Sequence, residues 1–313
     1  DTYSHWRASV DEVPMPLCVA EIQPELESVV QRSPLWHLLR RLGVGGSTLA
    51  SIIGFYDGDS SPPKLQELSF EHVARGVLGL ETTEKTFNDF VKQAIRFGST
   101  FEEQNECGTE CILNQEVRAK FQEACGGDVQ RIRSVPVGMR LVSYCPEFFI
   151  LSPDTLYVDA DTGRRIGGGE FKCPYLAKGA YPSIPSKYYG QVIQTAYALD
   201  LPWCVFSCMW ARTVPGGHIT EEIAVSEDEV EMTTLRVWIN TEKTRVYFVK
   251  FMIAFAYYTQ LVGAEAWYTA TGHAHFADQV RRAKTFVHSH LTRMREDLKN
   301  FLRNELRVEF LKV

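Results

Sequence analysis

The chain has 313 residues, 45% of them hydrophobic, 12% aromatic and 23% charged, with a formal net charge of −6. That is ample apolar material for a packed core, in one large domain or a domain with a helical addition, and the ordinary charged fraction excludes a chain disordered throughout. The negative balance argues against a protein that coats nucleic acid along its whole surface; it leaves room for an enzyme with a local basic groove, because steering depends on charge near the site.

No apolar run reaches the roughly 18 residues of a membrane span. The longest, FVKFMIAFAYYTQLVGAEAWY, is interrupted by Lys250 and Glu265 and reads as a buried helix. The chain opens at Asp1 with neither a Met nor a basic-then-apolar leader, which leaves open a targeting segment removed upstream. The eight cysteines (Cys18, Cys107, Cys111, Cys125, Cys145, Cys173, Cys204 and Cys208) are scattered, several of them in apolar runs. They read as reduced core thiols of an intracellular protein, in cytoplasm or nucleus. CGTEC has no matching second pair, so neither zinc nor an iron–sulfur cluster is expected there.

In chain order, PLWHLLRRL (34–42) has helical spacing and stops at Gly43. GGSTLASIIGF (45–55) reads as a turn and a short helix with Ser47 or Thr48 as N-cap, and DGDSSPPK (57–64) as a loop. FEHVARGVLGL is helical. So is TFNDFVKQAIRFGSTFEEQNECGTECILNQEVRAKFQEA, with expected breaks near Gly98 and Gly108. From about residue 131 the composition turns β-branched and aromatic, punctuated by Pro, Gly and Asp, which predicts a meander of strands with a hairpin turn at DADTG (159–163). PSKYYGQVIQTAYALDL (185–201) predicts a helix capped by Ser186, WCVFSCMW (203–210) a buried strand, and KTRVYFVKF a further strand. ADQVRRAKTFVHSHLTRMREDLKNFLRNEL predicts a long amphipathic helix. Helices flank a central set of strands, one of them lying between two strands: an α/β (α+β) arrangement.

The stretch GGGEFKCPY (167–175) carries the chemistry. On a strand, residues two apart share a face, so Glu170 and Lys172 project together while Phe171 turns into the core. A hairpin returning from SPD (152–154) would set Asp154 beside them. Two carboxylates and an ammonium at a strand end suit phosphodiester hydrolysis. Mg²⁺ takes one or two carboxylates with phosphate oxygens and waters, and the Phe171 carbonyl lies between the two side chains as a further oxygen. A solvated surface hairpin would carry the same Glu-x-Lys; the preceding S-P-D turn and the following C-P-Y and glutamine-bearing helix set this one apart.

SPD, GGGEFKCPY and KYYGQVIQ together resemble the core of the lambda-exonuclease and viral recombinase nucleases, within the PD-(D/E)xK superfamily that also holds the herpesvirus alkaline nucleases. WHLLRRLGVGGSTLASIIG resembles that family's N-terminal W-x-x-x-R-x-x-G-I-G-G-S motif, and FGSTFEEQNE its G-x-x-x-E helix motif. The resemblance covers roughly residues 34–210, with five motifs in order. It implies a restriction-endonuclease-like core, a central mixed sheet flanked by helices, with helical N- and C-terminal additions in a single nuclease domain. It implies that Asp154, Glu170 and the Phe171 carbonyl bind Mg²⁺, for which Mn²⁺ would substitute, and that Glu102 adds a carboxylate. Lys172 would act on the attacking water, Gln191 would position water or the metal shell, and Arg40 with Arg41 and Ser47 would hold phosphates, with Tyr188 on the same wall. The implied activity is 5′→3′ digestion of linear double-stranded DNA from its ends, in recombination or viral genome processing. Homo-oligomerisation and a single-strand annealing partner go with it. An endonuclease on RNA or DNA, and a catalytically inactive nucleic-acid-binding protein, are the alternatives.

The sequence departs from the family in three places. Thr155 stands where the family has the glycine of P-D-G. The loop from Asp154 to Glu170 is longer, and Gln194 lies one position further along than the family's second glutamine. Residues 211–313 match no known pattern. Elsewhere, Arg164 and Arg165 read as ordinary turn arginines. The basic residues of the last helix, interleaved with Asp278, Glu296 and Asp297, read as a solvated face. His288 and His290 lack ligand spacing, GVGGS lacks the G-K-[ST] of an ATPase, and Trp36, Trp203, Trp210, Trp238 and Trp267 read as core residues rather than base-stacking ones.

Overall fold

The computed structural model describes residues 25–40, 43–54, 68–81, 88–115, 129–142, 149–174, 184–211, 230–239 and 242–312. Arg41, the loop 57–64, and Cys18, Cys125 and Cys145 lie outside them. The elements are α1 (Pro34–Arg40), α2 (Gly46–Ile53), α3 (Phe70–Val77), α4 (Asp89–Gln115), β1 (Ile132–Val135), β2 (Arg140–Leu141), β3 (Ile150–Leu151), β4 (Thr155–Asp159), β5 (Arg165–Lys172), α5 (Ser186–Ala198), β6 (Trp203–Ala211), β7 (Val230–Ile239), α6 (Glu242–Ala270), α7 (Ala274–Glu305) and β8 (Leu306–Lys312).

Six strands form one mixed sheet in the order β1-β4-β5-β6-β7-β8. Only β5 and β6 run parallel; α5 is the crossover that parallel neighbours require. The β4–β5 hairpin closes at DADTG. Asp159 accepts hydrogen bonds there from the Asp161 amide (3.1 Å) and the Thr162 hydroxyl (2.6 Å), and Gly163 supplies the left-handed residue at φ 70°.

Strand parity sorts the core into two layers. Leu156, Cys204, Phe206 and Cys208 pack with Leu49 and Ile52 of α2, Val192, Ile193 and Ala196 of α5, and Phe248, Phe251, Met252 and Phe255 of α6. Tyr157, Ile166, Phe171, Trp203 and Val205 face the other way, against Leu113 of α4 and Val129 and Ile132. The protein is thus a mixed α+β fold, a mixed central sheet flanked by helices on both faces.

Several local expectations are corrected. α4 runs unbroken through Gly98 and Gly108: a single glycine costs a helix only ~1 kcal/mol, which burial of Phe97, Phe101 and Leu113 offsets. KTRVYFVKF belongs to α6, because Phe248, Phe251, Met252 and Phe255 recur at helical spacing on the core face. α2 begins at Gly46 with Gly45 as N-cap, and α5 at Ser186 with Pro185 in that position; neither has a side-chain cap. Trp36 and Trp203 are core residues, but Trp267 is 59% exposed near the tip of the α6–α7 hairpin. The segment Lys243–Ala270 is long and apolar enough to cross a membrane, with mean hydropathy 1.2 over its best window; half of that window is buried, and its aromatic stripe is core.

Candidate active site

Three elements meet at the C-terminal end of β5. Gly168, Glu170 and Lys172 share the face that looks at α5. A Cβ on Gly168 would lie 2.5 Å from Thr195 Cγ2, so glycine there lets the helix seat close to the strand. Thr155 pairs with Gly169 across the hairpin, which puts Asp154 opposite Glu170. The fit of α2 on α5 is equally close: a Cβ on Gly190 would meet the Ala50 backbone nitrogen at 2.4 Å, and one on Gly46 the Gln191 Cα at 2.8 Å. Close packing of α2 on α5 therefore carries Gly45 and Gly46 to the rim of the site beside Gln191.

Lys172 Nζ is the hub. It donates to Glu170 Oε1 at 2.5 Å and to the Phe171 carbonyl at 2.9 Å, and lies 3.6 Å from Asp154 Oδ2. Asp154 Oδ2 also accepts the Phe171 amide at 2.7 Å. Glu170 is 3% exposed. Burial pushes its carboxyl up to about 7, helped by the Asp154 charge and opposed by Lys172 and Arg40. Burial alone would lower the Lys172 ammonium, but Glu170 and Asp154 outweigh it and hold the group above its ordinary value. It stays charged, so it acts as a hydrogen-bond donor and a fixed positive charge rather than as a base.

The Asp154 turn is held from behind. Trp36 Nε1 donates to Ser152 Oγ at 2.9 Å, and Gln31 Nε2 to the carbonyls of Pro153 (2.8 Å) and Val137 (3.0 Å). Thr155 is fully buried and donates to the Val135 carbonyl at 3.1 Å, so this turn leads directly into β4. Under the sheet, Asn105 ties α4 to β6: its Nδ2 donates to the Ser207 carbonyl at 3.2 Å and its Oδ1 accepts the Ser207 hydroxyl at 2.7 Å.

An open cleft of about 310 Å³ runs over this cluster, lined by Arg32, Trp36, Arg40, Glu102, Asp154, Glu170, Phe171, Lys172 and Gln191, among others. At its inner end Arg40, Gly45, Gly46, Ser152, Glu170 and Gln191 enclose about 20 Å³, room for a single water. Arg40 stacks over the Trp36 ring at 4.5 Å. Of the residues singled out in the sequence, Asp154, Glu170, Phe171, Lys172, Gln191, Arg40 and Glu102 therefore share one cleft.

Arg41 lies outside the described residues, and Ser47, Tyr188 and Gln194 are not among those that line the cleft. Ser47 is exposed on the first turn of α2, beside the two glycines that do. Tyr188 lies under Lys172, its ring 5.3 Å from Nζ, and packs on Phe206, so it supports the lysine from the core side. Gln194 is fully buried between α2 and α5, and neither amide atom has a hydrogen-bond partner among the described residues.

Four residues escaped the sequence reading. Ser152 lines the cleft and was visible in S-P-D. Gln31 and Arg32 precede the recognisable motif and gave no signal. Glu106, one turn beyond Glu102 on α4, was legible as an i, i+4 pair. Burial raises its carboxyl, against hydrogen bonds from Thr155 and Ser134 and with Glu110 and Asp154 adding to the rise.

No family model and no curated protein matches this chain. Among solved structures, it is similar to the crystal structure of an alkaline exonuclease (LHK-Exo) from Laribacter hongkongensis, at 16% identity and a TM-score of 0.38, over 81% of this chain and 100% of that one. At that distance the likeness carries no functional argument, and the site rests on its own geometry.

Proposed function

We propose that the protein is a divalent-cation-dependent nuclease that degrades linear duplex DNA from its ends. The observation that carries this reading is the convergence of Asp154 Oδ2, Glu170 Oε1 and the Phe171 carbonyl on one positive charge, the Lys172 ammonium, inside a cleft that also holds Arg40 and Gln191.

Hard oxygen donors already gathered around a cation suit Mg²⁺. Among the described residues no set of three or more His, Cys, Asp or Glu groups as a metal site. Two carboxylates and a carbonyl, with substrate phosphate and waters completing the shell, are the ordinary protein share for this ion. Asp154, Glu170 and the Phe171 carbonyl would hold it, and when bound it supplies an acidified water and offsets charge on the phosphate oxygens. Lys172 Nζ donates to the attacking oxygen or to the charge that builds on the phosphate, a role its fixed protonation suits. Gln191 offers an amide to the same space. Arg40, held over Trp36 next to the start of α2, meets a phosphate of the bound strand, and the 5′-terminal phosphate is the one that would select ends. The inner pocket would have to widen to admit that group.

The test is time-resolved degradation of 5′-phosphorylated linear duplex, circular single-stranded DNA and structured RNA, each with Mg²⁺ and with EDTA. The wild type, Glu170→Ala and Lys172→Ala would be compared. Loss of the linear duplex alone, abolished by EDTA and by either substitution, supports the exonuclease reading. Cutting of circles or RNA with the same dependence keeps the site and replaces the substrate. No metal-dependent cutting of any of them refutes the reading.

A further inference from the structure

Arg32 lies at the mouth of the cleft, and its circumstances are unusual for a surface arginine. Its backbone sits at φ 65°, in the left-handed region where a non-glycine residue is strained. It is held there from both sides: Gln31 is fixed by its two bonds to the Val137 and Pro153 carbonyls, and Ser33 begins the turn into α1, its Oγ accepting the Trp36 amide at 3.2 Å. The guanidinium pairs through one nitrogen with Glu102 Oε2. Its side chain is 45% exposed, and among the described residues its other N–H groups have no partner. An exposed ion pair of this kind is worth little to stability. The pair does not account for a strained backbone held by three hydrogen bonds. The nearby cations are otherwise engaged: Lys172 lies among carboxylates, and Arg40 sits deeper, over Trp36. Arg32, Trp36 and Arg40 recur every four residues along the same wall.

We propose that Arg32 is a second phosphodiester contact of this cleft and that Glu102 holds it in reserve, the ion pair exchanging for a backbone phosphate when a strand enters. This rests on the nuclease reading above for the identity of the ligand. Arginine offers five donors in a planar fork, so it can pass from one carboxylate oxygen to two phosphate oxygens and gain a hydrogen bond. Phosphate binding at Arg32 would release the Glu102 carboxylate toward Asp154 and Glu170, on the same cleft. The exchange makes Glu102 a competitor of the substrate, and Arg32 a residue kept for binding at the expense of backbone strain.

The experiment needs no turnover. A fluorescent 5′-phosphorylated duplex is titrated by anisotropy in EDTA, across a range of NaCl, with the wild type, Arg32→Gly, Glu102→Gln and the double variant. Neutralising one phosphate contributes about 0.9 to the slope of log K against log salt. Arg32→Gly should lower the slope by about that amount and weaken binding several-fold. It should also raise the melting temperature, because glycine accepts the positive φ. Glu102→Gln should tighten binding about three- to tenfold, and the gain should vanish in the double variant. A lower melting temperature for Arg32→Gly, an unchanged salt slope, or a Glu102→Gln gain that survives without Arg32 overturns the proposal while leaving the nuclease reading intact. Failure of the wild type to bind any nucleic acid overturns both.

Discussion

Glu170 allows a prediction with its sign and size worked from the structure. Its carboxyl is raised from 4.5 to about 7, first by burial and then by the Asp154 charge, which Lys172 and Arg40 only partly offset. A folded pKa above the unfolded one means that the contribution to stability is fully present below about pH 4.5 and is lost as pH rises through 7. The rise from 4.5 to about 7 corresponds to roughly 3 kcal/mol. Glu170→Gln keeps the shape and the neutral form at every pH. The assay is urea denaturation in EDTA from pH 4.5 to 8.5. The stability of the wild type relative to Glu170→Gln should fall by up to about 3 kcal/mol across that range, most steeply between about pH 5 and 6.5 and little above about pH 7.5. Taking the difference cancels the slopes of carboxyls elsewhere, such as Glu265, whose Lys284 and Arg281 partners outweigh its burial and lower it. With Mg²⁺ at saturation the wild-type loss should largely disappear, because the ionised form then has its partner. Parallel curves for the two proteins in EDTA would show that Glu170 carries no such penalty, and the account of the site as a carboxylate pair short of positive charge would be wrong.

Three further outcomes follow from the same geometry. Lys172→Met should leave Asp154 and Glu170 facing each other without their shared cation, and should lower cleavage about 10²- to 10³-fold, read as single-turnover rates at saturating enzyme. Gly190→Ala drives a Cβ into the Ala50 backbone and should cost about 1–3 kcal/mol of unfolding free energy in urea, with loss of activity as α2 lifts off α5. Mg²⁺ binding followed by calorimetry in buffers of different ionisation enthalpy should release a substantial fraction of a proton near pH 6.5 and little at pH 8.5, because the Glu170 carboxyl must ionise to bind.

The parts of the fold that were legible in the sequence are those in which one period dominates. WCVFSCMW reads as a strand buried on both faces, and β6 is one, with Cys204 and Phe206 to one layer and Trp203 and Val205 to the other. DADTG reads as a hairpin turn because Asp and Gly do specific work in it. The errors fall where tertiary packing overrides a local signal. Gly98 and Gly108 look like helix breaks but cost less than the core contacts of α4 return. KTRVYFVKF has strand composition, yet its phenylalanines meet the sheet at intervals of three and four. The cap of α2 failed for a related reason: α2 begins where it must touch Gln191 of α5, so Gly45 and Gly46 occupy positions that a capping side chain would otherwise take, while Pro185, which has no side-chain acceptor, stands at the cap of α5.

The candidate site divides in the same way. Strand parity alone puts Glu170 and Lys172 on one face and Phe171 in the core, and the hairpin register adds Asp154. What no local pattern could supply is the scaffold around that cluster. Gln31 reaches two carbonyls more than a hundred positions away, Trp36 fixes Ser152, and Asn105 anchors α4 to β6. These bonds determine how far Asp154 stands from Glu170, and hence whether the two share a cation or repel each other into a protonated pair. The triad was readable because it is local, and its chemistry depends on contacts that are not. Loosening the scaffold without touching the triad should therefore change the site's electrostatics. Gln31→Ala, which frees the Pro153 carbonyl, should let Asp154 withdraw, lower the Glu170 carboxyl and flatten the pH dependence described above, while Lys172 keeps its bond to Glu170 Oε1. An unchanged pH dependence in Gln31→Ala would show instead that the Phe171 amide alone fixes Asp154.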